Sequence, residues 1–174
     1  MKNTLKTLSV LLSYPGPSHR VLYENKEELL EILSKENPTT AGLIGEFMNR
    51  VPFNQLDEKF VALFEMPPRC PLYAHEHMTQ QKESEVGNFL LEIKIFYKAK
   101  GLDVDASREL PDYLPVMLEY LANLVPEDSG LARSFVRKYM EPWLKKWVEC
   151  VKKEDSDFAL LAEAVEKAVG RLVG

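Results

Sequence analysis

The chain has little of what catalytic sites are commonly built from. Its 174 residues include eight glycines and three histidines. They contain no glycine-rich phosphate or dinucleotide loop and no nucleophile elbow. A zinc-protease motif is also absent, because Thr79 stands where the second histidine of His-Glu-x-x-His would follow His75 and Glu76. We therefore predict that the protein is not an enzyme.

Cysteine is scarce as well. Cys70 and Cys150 are the two cysteines of the chain, and they form no Cys-x-x-Cys pair. We expect neither a disulfide framework nor a zinc ribbon, which favours a reduced, cytoplasmic setting. His75 and His77 lie close to Cys70, but side chains two positions apart on a helix point in different directions, and His19 is distant. No metal site and no cofactor are predicted.

Long apolar runs and a basic surplus are missing too. No segment approaches the roughly 18 apolar residues of a membrane span. Leu8 to Leu12 follows Lys2 and Lys6 and faintly resembles a signal peptide, but it is short and lacks a small-residue cleavage site, so we predict a first core helix. The net charge of −5 argues against a general nucleic-acid binder. We expect a soluble protein with neutral or basic partners.

Helical spacing of apolar residues runs through the chain, whereas strand alternation bounded by hairpin turns does not occur. Prolines and capping residues divide this pattern into about eight to ten helices, so we predict an all-α, single-domain bundle. A long helix is expected from about Gln80 to Lys100, with Gly101 as its stop, and a kink at Pro142. The single domain, 1–174, would consist of an N-terminal half (1–100), a hinge linker (101–111, near residues 101–112) and a C-terminal half (112–174).

One stretch combines two prolines, two carboxylates and a tyrosine at the start of a predicted amphipathic helix: Glu109-Leu110-Pro111-Asp112-Tyr113-Leu114-Pro115. With Asp112 as N-cap, Pro115 would be the third helical residue, where a missing N–H costs nothing. Asp112 and Glu119 would then lie along one exposed face suited to a cationic partner. A capped helix with a solvated polar side explains the same residues.

Upstream, residues 65–77 are the least regular part of the chain. Three prolines within residues 67–71 forbid a regular helix, so we predict a loop that lies on the surface or packs through Leu72 and Tyr73.

Several short stretches, taken in their order along the chain, resemble the TorD/DmsD/NarJ family of redox-enzyme maturation chaperones, nearer to its NarJ side. Glu109 to Leu114 is similar to a Glu-x-Pro-Asp-His-like motif of that family, with Tyr113 in place of the usual His. Further similar segments are Leu11 to Pro15, Phe60 to Phe64, Pro67 to Pro71, Tyr73 to Glu76 and Phe135 to Leu144.

The resemblance implies a cytoplasmic chaperone that binds the twin-arginine leader or N-terminal region of a molybdopterin oxidoreductase catalytic subunit, such as a nitrate reductase or DMSO reductase. The chaperone would hold that subunit for cofactor insertion and assembly before export. An adaptor that binds a folded apoprotein surface is the alternative, and a small enzyme using Glu109 and Asp112 is a third. Nucleic acid and stable membrane insertion are not expected, and the protein would be a monomer or a domain-swapped dimer.

The resemblance also implies a peptide-binding site. Its carboxylates would pair with leader arginines, and its apolar and aromatic groups would receive the apolar part of the leader. Because Tyr113 replaces a histidine, a role that needs an imidazole, such as pH-dependent release, is not implied at that position. The predicted peptide-binding residues are Leu72, Tyr73, Glu76, Glu109, Pro111, Asp112, Tyr113 and Glu119.

Overall fold

The computed structural model describes residues 1–78, 82–102 and 109–174. Within these residues the chain folds into ten α-helices with no strand, which confirms the predicted all-α bundle of eight to ten helices. The helices are α1 (Lys2–Leu11), α2 (Pro17–Glu24), α3 (Lys26–Glu36), α4 (Pro38–Arg50), α5 (Phe53–Phe64), α6 (Glu83–Ala99), α7 (Leu114–Leu124), α8 (Ser129–Phe135), α9 (Glu141–Glu154) and α10 (Phe158–Val173). A short 3-10 turn, Ala74–His77, precedes α6, and a π-helical segment, Val136–Met140, joins α8 to α9.

Prolines mark the first turn of several helices. Pro17, Pro38, Pro115 and Pro142 occupy the first or second position of α2, α4, α7 and α9, where a missing backbone N–H leaves no hydrogen bond unmade. The break predicted at Pro142 takes the form of the π-helical segment immediately before it. The prolines therefore set helix boundaries without interrupting the core.

One continuous core joins the two halves of the sequence. α1 packs against α7, and α4 packs against α10. Three leucines on the inner side of α1 and the leucine that caps its C-terminus are fully buried: Leu5, Leu8, Leu11 and Leu12. Ser9 on the same helix donates its hydroxyl to the Pro115 carbonyl oxygen at 2.6 Å, so α1 also fixes the first turn of α7.

The segment between α6 and α7 was predicted to be a hinge linker. Residues 103–108 of that segment, and residues 79–81 at the predicted start of the long helix, lie outside the described residues. Gly101 follows α6 with φ +78, the left-handed conformation that glycine adopts at little cost after a helix end. Its role as the stop signal of α6 is confirmed.

The two cysteines are joined, so the expectation that they form no disulfide was wrong. The Cys70 and Cys150 sulfur atoms are 2.08 Å apart, although the residues are separated by 80 positions in the sequence. Packing of the proline-rich loop against α9 brings them together, and sequence spacing carries no information about that contact. None of the described helices is both long and apolar enough to cross a membrane.

Shortening a core leucine on α1 should destabilise the whole fold. Leu8 is fully buried, so Leu8→Ala should lower the free energy of unfolding by about 2–5 kcal/mol through lost burial and a residual cavity. Lys6→Ala, on the exposed side of the same helix, should change it by less than about 0.5 kcal/mol. Denaturant unfolding followed by circular dichroism measures both variants. Equal losses would contradict a core centred on α1.

Candidate functional site

The loop after α5 and the segment before α7 run side by side. The Leu114 N–H donates to the Leu72 carbonyl oxygen at 2.8 Å, and the Ala74 N–H donates to the Asp112 carbonyl oxygen at 3.1 Å. Between these bonds, Tyr73 and Tyr113 form an isolated antiparallel bridge. The loop can reach this position because its prolines favour extended backbone. Two stretches that the sequence singled out separately therefore form one structure.

Asp112 is fully buried and binds the loop through its side chain. Its Oδ2 accepts the His75 backbone N–H at 2.8 Å and lies 2.6 Å from His75 Nδ1. Because a carboxylate oxygen only accepts, Nδ1 carries the hydrogen of this second bond. The other oxygen, Oδ1, has no hydrogen-bond partner among the described residues. Asp112 therefore fastens the 3-10 turn to the entry of α7.

The predicted exposed position of Asp112 was wrong, for a local reason. α7 begins at Leu114 and its N-cap position is Tyr113, one residue later than predicted. Asp112 thus precedes the helix and is not governed by helical spacing, and its side chain turns inwards toward the loop. It does not share an exposed face with Glu119.

His75 supplies an imidazole that the motif around residue 113 lacks. The hydrogen bond from His75 to Asp112 raises the pKa of the imidazole, although partial burial opposes this, and the charge of Asp112 adds to the increase. His75 Nε2 lies 3.7 Å from a Glu76 carboxylate oxygen. Sequence reasoning considered His75 as a metal ligand and rejected that role, and it missed the contact with Asp112 because the two residues are distant in the sequence.

A cavity of about 250 Å³ opens beside this junction. We call it the acidic groove, since three of its lining side chains are carboxylates and no lysine or arginine is among its described lining residues. The lining residues are Phe64, Glu65, Pro68, Pro71, Leu72, Tyr73, Glu76, Glu109 and Tyr113. A site of this composition attracts a cation and offers it aromatic and apolar contacts.

The two tyrosines of the acidic groove are packed together. Their ring centroids are 5.0 Å apart with an interplanar angle of 32°, and the Tyr73 hydroxyl donates to the Glu109 carboxylate. Burial raises the pKa of both phenols, and Glu109 raises that of Tyr73 further. Both rings therefore stay neutral at physiological pH, and the Tyr73 hydrogen bond holds Glu109 in the groove.

The structure brings together most of the predicted site residues. Five of the eight line the acidic groove: Leu72, Tyr73, Glu76, Glu109 and Tyr113. Pro111 and Asp112 are buried and do not line it, and the Pro111 carbonyl oxygen accepts the Tyr97 hydroxyl at 2.7 Å. Glu119 is exposed on α7 outside the groove. Sequence reasoning missed Glu65. Its position at the end of α5, just before the prolines, could have indicated that it belongs to the site.

The groups that line the groove are carboxylates, aromatic rings and apolar side chains. Within the described residues, no group of three or more histidine, cysteine, aspartate or glutamate side chains is placed to hold a metal ion. The described residues that line the groove include no serine, threonine or cysteine that could act as a nucleophile. The chemistry that the lining supports is the binding of a cationic, partly apolar group.

Residues 31–149 match the family described as the nitrate reductase delta subunit. This match spans more than half of the chain. The chain belongs to this family. Every residue that lines the acidic groove falls within the matched region. The resemblance to the NarJ side of the maturation chaperones is confirmed.

Two curated relatives carry names that describe assembly. NarJ of Bacillus subtilis is 28% identical over 168 residues, which cover 95% of this chain and 88% of the relative. NarW of Escherichia coli K12 is 29% identical over 126 residues, which cover 72% of this chain and 52% of the relative. Both are named as nitrate reductase molybdenum cofactor assembly chaperones. The chain thus spans about half the length of NarW.

A crystal structure from Archaeoglobus fulgidus, named as that of a redox enzyme maturation protein, has the same fold. Its TM-score is 0.69 at 22% sequence identity, and the alignment covers 98% of this chain and 94% of the other. The two chains therefore share their helical arrangement at low sequence identity.

The contribution of His75 to stability should depend on pH. The pKa of His75 is raised in the folded state. The stabilisation by protonated His75 should therefore be complete below about pH 6.5, the pKa of an unperturbed histidine. It should be lost as the pH rises through the folded-state pKa. His75→Asn should therefore lower the free energy of unfolding more at pH 5.5 than at pH 8.5, by up to about 1.5–3 kcal/mol.

His77→Asn is the matched control. Burial lowers the pKa of His77, although its Nε2–H donates to the Pro71 carbonyl oxygen at 2.6 Å. The cost of this substitution should therefore increase with pH, opposite to that at His75. Denaturant titrations between pH 5.5 and 8.5 measure how the loss of unfolding free energy in each variant changes with pH. If the two losses change with pH in the same direction, the assignment of Asp112 as the partner of His75 is contradicted.

Proposed function

We propose that this protein is an assembly chaperone, not an enzyme, that binds an N-terminal segment of a molybdenum-containing nitrate reductase subunit. The observation that carries the proposal is the acidic groove, in which Glu65, Glu76 and Glu109 surround two packed tyrosines. Membership of the delta subunit family and the names of NarJ and NarW support the assembly role. The client would be held in the cytoplasm until its cofactor is inserted.

The groove fits an arginine-containing segment best. A guanidinium group forms paired hydrogen bonds with carboxylates and stacks on aromatic rings, whereas an ammonium group is a compact, strongly hydrated charge. Glu109 is oriented by Tyr73, and the Tyr73 and Tyr113 rings lie within the same lining. A twin-arginine leader would offer two such groups next to an apolar stretch.

Apolar contacts are available beside these charges. Met66 is 79% exposed and Leu110 is 38% exposed, and each directly follows a groove carboxylate in the sequence, Glu65 and Glu109. Neither side chain lines the groove itself, but exposed apolar side chains are typical of interaction surfaces. They would receive the apolar part of the bound segment, while the carboxylates hold its arginines.

Binding of a synthetic peptide with two adjacent arginines followed by an apolar stretch, here called the twin-arginine peptide, tests the proposal by calorimetry. Glu65→Gln combined with Glu109→Gln should weaken binding by about tenfold or more, because two charge-assisted hydrogen-bonding partners are lost. A twin-lysine peptide should bind the unmodified protein more weakly than the twin-arginine peptide.

Glu119→Gln is the matched control, since it removes an exposed carboxylate of α7 that lies outside the groove. It should leave the affinity unchanged. An equal loss in the control and in the double variant would mean that only general charge attraction is measured. If a client lacking its N-terminal segment still forms the complex, the adaptor alternative replaces the proposal.

A further inference from the structure

We propose that the Cys70–Cys150 disulfide is a redox-controlled tether that fixes one wall of the acidic groove. The wall is the proline-rich segment 65–71, which contributes Glu65, Pro68 and Pro71 to the lining. In the oxidised protein the disulfide holds this wall against α9. In the reduced protein the wall loses its covalent link to α9, and the Glu65 side of the groove is less firmly held.

The position of each cysteine supports this role. Cys70 is fully buried between lining residues of the wall, so any change in its bonding acts directly on the groove. Cys150 lies on α9 and is only partly buried. A small thiol can therefore reach the disulfide from the Cys150 side without prior unfolding of the wall.

Several contacts attach the wall to α5 and to the 3-10 turn, but few attach it to α9. The Arg69 Nε–H donates to the Ala62 carbonyl oxygen at 3.1 Å, and the Pro71 carbonyl oxygen accepts the His77 Nε2–H at 2.6 Å. The wall's three prolines have no backbone N–H to donate, and the Arg69 and Cys70 N–H groups both donate to the Leu63 carbonyl oxygen.

The Arg69 guanidinium lies 3.2 Å from the Glu154 carboxylate on α9, but the two side chains are 43% and 33% exposed. Ion pairs this exposed contribute little, so the covalent link is the dominant connection between the wall and α9.

The opposite wall is secured independently. Tyr73 and Tyr113 are held by the backbone bonds of the antiparallel bridge and by the Asp112–His75 contact. Reduction should therefore loosen the segment that carries Glu65 and leave the tyrosine side of the groove in place. The expected effect is a partial loss of affinity and not an abolished site.

The chemistry is ordinary thiol–disulfide exchange with a low-molecular-weight thiol. The thiolate attacks Cys150 Sγ, the protein S–S bond breaks, and Cys70 leaves as a thiolate that takes a proton from water. A second small thiolate then attacks the small-molecule sulfur of the mixed disulfide, that S–S bond breaks, and Cys150 leaves as a thiolate that takes a proton from water. Two small thiols are oxidised to one small disulfide, and the protein disulfide is reduced to two cysteine thiols.

The effect on client binding rests on the proposed function, whereas the effect on the wall does not. Two readouts on the full chain keep them apart. Hydrogen exchange of segment 65–72 in the oxidised and the dithiothreitol-reduced protein measures the tether, with α10 as the internal reference. Calorimetry with the twin-arginine peptide measures the consequence for binding, and alkylation with mass spectrometry counts free thiols in each form.

Reduction should expose two thiols and speed exchange in segment 65–72 by about tenfold or more, with α10 unchanged. It should also weaken peptide binding by about three- to tenfold. Cys150→Ser should behave like the reduced protein with or without dithiothreitol, which separates the tether from other effects of the reductant.

Two free thiols after oxidation, or equal exchange of segment 65–72 in both forms, would overturn the tether. Faster exchange with unchanged affinity would overturn its control over binding. If neither form binds the peptide but exchange responds to reduction, the proposed function fails while the tether is upheld.

Discussion

The contact between the buried Asp112 carboxylate and His75 is the constraint on which the site depends. Burying a carboxylate is costly unless it is hydrogen-bonded, and here one oxygen faces both the backbone N–H and the ring nitrogen of His75. These bonds fasten the turn after the proline-rich loop to the entry of α7. The antiparallel bridge between Tyr73 and Tyr113 lies beside them, and without this junction the acidic groove would lose one of its walls.

Contacts from α1 and α6 hold this junction in place. α7 packs on α1, and Ser9 binds the Pro115 carbonyl oxygen in the first turn of α7. Tyr97 on α6 binds the Pro111 carbonyl oxygen just before it. The entry of α7 is thus fixed by both helices, and the tyrosine side of the groove is rigid. The proline-rich wall opposite depends on a disulfide, which gives the groove one fixed and one adjustable side.

Local signals in the sequence predicted most of the fold. Apolar spacing and prolines placed the helices, since both act within a few residues of the boundary that they define. The ordered motifs identified the family, and five groove residues followed from them. The burial of Asp112, its pairing with His75 and the Cys70–Cys150 disulfide could not be predicted, because each depends on which distant segments pack together. Glu119 is exposed on α7 as predicted, but it shares no face with Asp112, because the helix begins one residue later than predicted.

Amide chemical shifts during titration with the twin-arginine peptide test the central claim most directly. Shifts should concentrate in residues 64–76 and 109–114, which form the acidic groove and its junction. The amides around Glu119 and along α10 should stay unchanged. Shifts centred instead on the outer side of α6, where Leu91 and Ile95 are 55% and 60% exposed, would contradict the groove as the binding site.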